Sequence, residues 1–180
     1  MVRIIMHGCN GAMGQVISGI AAGDEEAKIV AGIDLNGEKK NDYPVFTSLE
    51  ACDVEADVIV DFASAKAVDH LLEYCAEKKM PVVLCTTGLS KEQVKKAEET
   101  SRKTAVLRSA NMSLGINLLL KLVKEAAQTL AAADFDIEIV EKHHNQKVDA
   151  PSGTALALAD PSMSRWTAHI TINMTGRRSG

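Results

Sequence analysis

The sequence predicts an α/β protein built on a doubly wound parallel sheet, followed by a segment of α+β character. Three observations carry this. Short apolar runs alternate with helix-length segments from the first residues to about residue 110. The first run closes on a glycine-rich turn and the second on an aspartate. Past that point the pattern changes to one long amphipathic helix and an alternating strand.

Taken in order, "VRIIMHG" reads as a buried strand and Ala12 to Ala22 as a helix. "AKIVAGID" is a second strand, followed by a polar loop rich in Asn, Gly and Lys. "ADVIVDFAS" is the third clear strand, with a helix over Ala65 to Lys78. "MPVVLCTTG" is the next strand, and Ser90 is placed to cap the charged helix "KEQVKKAEETSRK". "TAVLRSAN" closes the series. The amphipathic helix "SLGINLLLKLVKEAAQTLAA" starts behind Ser113. "FDIEIVEKHH" alternates as a strand with one wet face does, and "DAPSGTALALAD" turns into a helix. A boundary falls near Ser109 to Ser113, giving domains over 1–110 and 111–160 and an atypical tail over 161–180.

Composition supports the layering. The chain has 180 residues, 46% of them hydrophobic and only 3% aromatic, so small aliphatic side chains fill the interior. A net charge of −4 argues against a nucleic-acid surface. Cys9, Cys52, Cys75 and Cys85 form no C-x-x-C pair, which predicts free thiols rather than disulfides or a metal site. The N-terminus opens directly on a strand without a signal-peptide pattern, and no apolar run approaches the roughly 20 residues that span a bilayer. The expectation is a cytoplasmic protein with no membrane partner.

The glycine turn is the first functional candidate. Gly8, Gly11 and Gly14 are spaced G-x-x-G-x-x-G between a strand and a helix. Glycine there permits a tight turn and close approach of a pyrophosphate, whose charge suits a helix N-terminus. Asp34 ends the second strand 20 residues beyond Gly14, where a Rossmann unit accepts ribose hydroxyls. The plain alternative is a tight turn plus a surface acid. "CTTG" and "SANMS" follow later strands at the same sheet edge, the ligand-binding edge of open α/β sheets.

The second candidate is "EIVEKHHNQKVDAPSGTALA". His143 and His144 are adjacent, so in an extended strand only one of them faces a given site. An imidazole, the Lys147 ammonium and a helix start at Ser152-Gly153-Thr154 suit a small anionic substrate that needs a proton. A strand end with one packed and one solvated histidine, beside a solvated Lys147–Asp149 pair, stays open as the alternative. No nearby acid or thiol completes a familiar metal spacing.

This stretch closely resembles the signature of dihydrodipicolinate reductases, E-x-H-H-x-x-K-x-D-A-P-S-G-T-A. "GCNGAMG", "DFAS", "TTG" and "SANMSLGIN" stand in the family's order, and the likeness runs through residues 1 to about 160. The resemblance implies a reductase that delivers hydride from NADH or NADPH to a cyclic dicarboxylate, giving tetrahydrodipicolinate for diaminopimelate and lysine synthesis. Matched by motif, Gly8, Cys9, Asn10, Gly11, Ala12 and Met13 would hold the pyrophosphate, and Asp34 the adenosine ribose. Cys85, Thr86 and Thr87, with Ser109, Ala110, Asn111 and Met112, would line the nicotinamide side. His143 would supply acid/base function, Lys147 would be the proton donor, and His144 would contact substrate. Gly153 and Thr154, with Ser152 beside them, would take a substrate carboxylate. The chemistry agrees, since hydride arriving at a conjugated imine leaves charge that a proton must quench.

Two positions depart from the pattern. Cys85 replaces a glycine common before T-T-G, and Leu35 stands where some relatives carry an arginine for a 2′-phosphate. Asp34 and Leu35 tilt the preference towards NADH, while Lys39 and Lys40 lie close enough to soften it. The likeness stops after Asp160, at "PSMSRWTAHITINMTGRRSG". A native divergent tail and a translated frameshift both stay open. The second is favoured because one restored nucleotide lets Pro161 to Ser164 re-read as Ala-Ile-Asn-Glu, a common family continuation. The resemblance then implies an incomplete α+β substrate and oligomerisation domain, with one long helix and one strand lacking partner strands. Full-length members form a homotetramer on that sheet, an assembly the shortened sheet leaves unsupported here.

Overall fold

The computed structural model describes residues 1–109, 111–131, 133, 135, 137–142, 151–159 and 171–175. The chain divides into two compact units, Met1–Ser109 and Ala110–Gly180.

The first unit runs β1 (Val2–His7), α1 (Ala12–Ala21), β2 (Ala27–Ile33), β3 (Val45–Phe46), β4 (Val58–Asp61), α2 (Ala65–Lys78), β5 (Val82–Leu84), α3 (Lys91–Thr100) and β6 (Val106–Arg108). The six strands form one sheet in the order β3-β2-β1-β4-β5-β6, and every pairing is parallel. The chain therefore leaves β1 in one direction and returns to its other side at β4. That reversal opens a crevice at the carboxyl ends of β1, β2 and β4.

Alternation along the strands builds two cores. Ile5, Ile33, Ile59 and Leu84 pack with Val68, Leu71 and Leu72 of α2 on one face. Met6 and Ile29 pack with Ile17 and Ala21 of α1 on the other. Leu71, Leu72 and Ile59 are fully buried, each removing apolar surface worth roughly 2 kcal/mol from water. The predicted parallel sheet is thus present, with β3 as an addition. Two residues are too short a run to show a period, so Val45 and Phe46 read as part of the polar loop. Ser90 caps α3 as its position suggests, accepting from the Gln93 N–H while the Gln93 side chain accepts from the Ser90 N–H.

The second unit contains α4 (Leu114–Ala131), β7 (Glu138–Lys142), α5 (Gly153–Leu158) and β8 (Thr171–Thr175). Ser113 stands at the start of α4, its hydroxyl accepting from the Ile116 N–H at 3.4 Å. In β7, Ile139 and Glu141 share the half-buried face, while Val140 is 61% exposed. The expectation of a lone strand needs correction, because β8 pairs with β7 in parallel, Glu138 opposite Thr171 through Lys142 opposite Thr175. The physical reason is local: "TINMT" in the tail is rich in β-branched residues, which favour extended backbone. Among the described residues no helix is long and apolar enough to cross a membrane.

Candidate functional site

The glycine turn is built as its spacing predicts. Gly8 has φ +80°, and a Cβ there would lie 2.9 Å from the backbone N and Cα of Ala63. At Gly14 a Cβ would meet the carbonyl oxygens of Gly8 and Cys9, the latter at 2.6 Å. Helix α1 therefore starts directly against the turn. Its N-cap, Gly11, contributes no side-chain hydrogen bond, and its first turn carries no acid. The opening N–H groups of α1 are left to an anion.

Asp34 follows β2 and is tied to this turn. Its Oδ2 accepts from the Asn10 N–H at 3.0 Å and its Oδ1 from the Asn36 N–H at 3.1 Å. Asn10 fastens the same loop by donating through Nδ2 to the carbonyls of Asn36 and Glu38, at 2.7 and 2.9 Å. Its Oδ1 is buried without a partner, an acceptor available to a ligand hydroxyl. A cleft of about 620 Å³ opens here, lined by Gly8, Gly11, Asp34, Leu35, Ala63 and Lys66. These features fit the adenosine and pyrophosphate portions of a dinucleotide: a cradle that side chains would fill, free helix N–H groups, and an acid set to accept from a ribose.

The residues of "CTTG" reach the same edge. Cys85 and Thr86 are buried at the end of β5, and Thr87 is exposed. Burial, with Asp61 adding to it, pushes the Cys85 thiol up to about 11. Burial and the Asp34 charge do the same for Cys9, also to about 11. Neither thiol is a ready nucleophile. Ser109 N–H donates to the Leu84 carbonyl at 3.1 Å, placing Ser109 at the end of the adjoining strand.

Two residues without an assignment from sequence occupy the middle of this edge. Asp61, which ends β4, is 0% exposed. Its Oδ2 accepts from Thr86 Oγ1 at 2.6 Å, and its Oδ1 lies 2.7 Å from His7 Nδ1. His7 also lines the cleft. The signal was an acid closing an apolar strand in "VIVDFAS", a position where burial demands partners.

In the second unit, Ser152 caps α5, its hydroxyl accepting from the Ala155 N–H at 3.0 Å. The Ser152 N–H donates to Glu141 Oε1 at 2.9 Å, joining α5 to β7. Asn111 Nδ2 donates to Thr154 Oγ1 at 3.0 Å, and Asn111 Oδ1 accepts from the Ser113 N–H at 2.8 Å. Asn111 thus links the starts of α4 and α5, while Met112 beside it is half exposed. His143, His144, Lys147 and Ala110 lie outside the described residues. Among the described residues no group of three or more His, Cys, Asp or Glu could hold a metal ion.

Comparison with known proteins agrees with the sequence motifs over the first 160 residues and corrects the expectation that the likeness stops after Asp160, since a family match runs on to residue 178. Residues 2–112 match the family model described as dihydrodipicolinate reductase, N-terminus, and residues 115–178 the one described as dihydrodipicolinate reductase, C-terminus. The 4-hydroxy-tetrahydrodipicolinate reductase of Clostridium tetani is 51% identical over 160 residues, covering 89% of this chain and 62% of that protein. The enzyme of the same name from Caldanaerobacter subterraneus is 53% identical over 160 residues, with the same coverage of both chains. The chain thus spans about 62% of the length of these curated relatives. Among solved structures, dipicolinate-bound dihydrodipicolinate reductase from Paenisporosarcina sp. TG-14 superposes with a TM-score of 0.68 at 31% identity, covering 91% of this chain and 65% of that one.

Proposed function

The chain belongs to the dihydrodipicolinate reductase family, and from that premise we propose that it binds NADH or NADPH at the carboxyl edge of the six-stranded sheet and serves the reduction of a cyclic dihydrodipicolinate-type dicarboxylate. The product is tetrahydrodipicolinate, in the cytoplasmic route to diaminopimelate and lysine. The observation that carries the reading is the bond between the Asn10 N–H and Asp34 Oδ2, which joins the anion-binding turn and the ribose acceptor in one cleft.

Bound NADH or NADPH supplies the hydride. Gly8, Cys9, Asn10, Gly11, Ala12 and Met13 cradle its pyrophosphate, and Asp34 accepts from the adenosine ribose. NADH is favoured, since the Asp34 carboxylate repels a 2′-phosphate and the neighbouring Leu35 brings no cation. Lys40 lies 3.9 Å from Glu38, which offsets its charge. Cys85, Thr86, Thr87, Ser109, Ala110, Asn111 and Met112 form the nicotinamide side by motif. On the substrate, Lys147 donates the proton that quenches the charge left by reduction, His143 supplies acid/base function and His144 makes contact. Ser152, Gly153 and Thr154 take a carboxylate; the capped start of α5 holds these three in place.

The test is a titration of the chain with NADH and NADPH, then turnover with freshly made dihydrodipicolinate-type substrate. Saturable binding and cofactor oxidation are expected, with Lys147→Ala lowering turnover by about a hundredfold or more. Binding without turnover identifies a nucleotide-binding fragment of such an enzyme instead. Full activity in Lys147→Ala removes that residue from its role.

A further inference from the structure

We propose that Asp61 is a positioning residue of the dinucleotide cleft: it sets the Thr86 hydroxyl, the His7 imidazole and the Ala63 backbone, three groups at the ends of three neighbouring strands. The proposal rests on the dinucleotide reading above and adds to it a residue that the cofactor would not touch.

The fold gives Asp61 no reason to be acidic. It is 0% exposed, with Ile59 two residues before it in β4 and Leu84 opposite it in β5. An apolar side chain would continue that core, whereas a buried carboxylate is costly unless every oxygen is supplied with donors. Here each oxygen is supplied. Thr86 Oγ1 donates to Oδ2 at 2.6 Å, the Ala63 N–H donates to Oδ1 at 3.3 Å, and His7 Nδ1 lies 2.7 Å from Oδ1.

A carboxylate only accepts, so each partner's hydrogen is assigned. The Thr86 hydroxyl hydrogen points at Asp61, leaving the oxygen's lone pairs for a group at the carboxyl end of β5. The proton of His7 sits on Nδ1, and Nε2 is left free on the residue that lines the cleft. The third partner matters as much, because Ala63 is the wall against which the Gly8 turn packs. One side chain therefore ties the Ala63 wall of the cleft, on which the Gly8 turn packs, to Thr86 at the end of β5.

Dissociation constants for NADH and for 5′-AMP, with melting temperatures, test this. Asp61→Asn, equal in shape, weakens NADH about tenfold, and Thr86→Val does the same. The double variant is within about twofold of Asp61→Asn alone, because the bond that Thr86→Val removes is one of those Asp61 makes. Thr86→Ser recovers most of the affinity that Thr86→Val loses, and Thr86→Val leaves 5′-AMP within about twofold, since the adenosine half lies away from that bond. Additive losses, or equal losses for NADH and 5′-AMP in Thr86→Val that track the melting temperature, overturn the proposal in favour of a purely structural role. If Asp61→Asn does not fold, the Thr86→Val and Thr86→Ser pair decides by the same criteria. A parent chain that binds neither ligand overturns the dinucleotide reading and this inference with it. A parent that binds NADH while Asp61→Asn keeps full affinity overturns only the positioning role.

Discussion

The Asn10 N–H donates to Asp34 Oδ2 across 3.0 Å, so the glycine turn after β1 and the acid after β2 are one hydrogen-bonded unit. Neither half would be well placed alone. The turn would be held by glycine packing only, and the acid would stand on a loop beginning with Leu35, which is 95% exposed. Joined, they present anion donors and hydroxyl acceptors on one wall of the cleft.

Removing the acid therefore acts twice. Asp34→Ala deletes the acceptors proposed for a ribose and frees the Asn10 and Asn36 N–H groups. NADH affinity should fall about tenfold, which is ~1.4 kcal/mol. NADPH affinity should fall less or rise, because the same change removes repulsion of a 2′-phosphate. Titrating both cofactors measures the ratio. A ratio unchanged from the parent chain sinks the assignment of Asp34 as the specificity-setting acid.

Two glycines of α1 give opposite expectations. Gly14→Ala forces a Cβ onto the Gly8 and Cys9 carbonyls, which the turn cannot relieve without moving, and should cost about 1–3 kcal/mol. Gly19 is exposed with nothing within 4 Å of a Cβ, so Gly19→Ala should stabilise the helix by roughly 0.5–1 kcal/mol. Thermal melts of the two variants should shift to opposite sides of the parent. A shift in the same direction would mean that the contact at Gly14 is not what fixes the helix start.

Most of the sheet was readable from sequence, because its strands are apolar runs ending in turn residues and its helices carry visible starts. Ala65–Lys78 is a helix over the predicted span. What was not readable is non-local or short. Val45–Phe46 is too brief to show alternation. The partners of Asp61 lie 54 and 25 residues away, so an acid at a strand end announced a need for donors without naming them. The alternating strand read as having its acids on a wet face, yet Glu141 shares the half-buried face with Ile139, where it accepts from the Ser152 N–H. The histidine-lysine signature was legible as a string, while the geometry of His143, His144 and Lys147 lies outside the described residues.

At the other end of β1, Arg3 grips Asp57 through Nη2 to Oδ1 at 2.8 Å and through its own N–H to Oδ2 at 2.7 Å. The guanidinium first, then the backbone N–H, hold the Asp57 carboxyl down at about 2 from an ordinary 3.8. A depressed carboxyl contributes stability that is complete above the unfolded value and lost as pH falls through the folded one. Arg3→Met should therefore melt below the parent by a constant margin at neutral pH. The margin should close between 3.8 and about 2, and it should shrink in high salt because the pair is exposed. Melts across that range check it. A margin that widens on acidification would contradict the pairing.

The start of α5 offers the sharpest local test in the second unit. Ser152 is 4% exposed; its hydroxyl accepts from the Ala155 N–H and its own N–H is satisfied by Glu141. Ser152→Ala removes the cap while leaving the Glu141 bond, at a cost of about 1 kcal/mol. That corresponds to roughly fivefold faster hydrogen exchange at Ala155 if the helix opens locally. Ser152→Asn keeps a capping oxygen and should restore most of the protection. Glu141→Leu strips the acceptor from a buried N–H, so it should cost about 1–3 kcal/mol and expose Ser152 to exchange as well. Glu141→Gln, which retains an acceptor, should fall between Glu141→Leu and the parent chain. Because Gly153 and Thr154 follow immediately, the variants that fray this start should also raise the KM for a dicarboxylate with little change in kcat. Exchange at Ala155 that is the same in Ser152→Ala as in the parent chain would show that the cap does not hold α5.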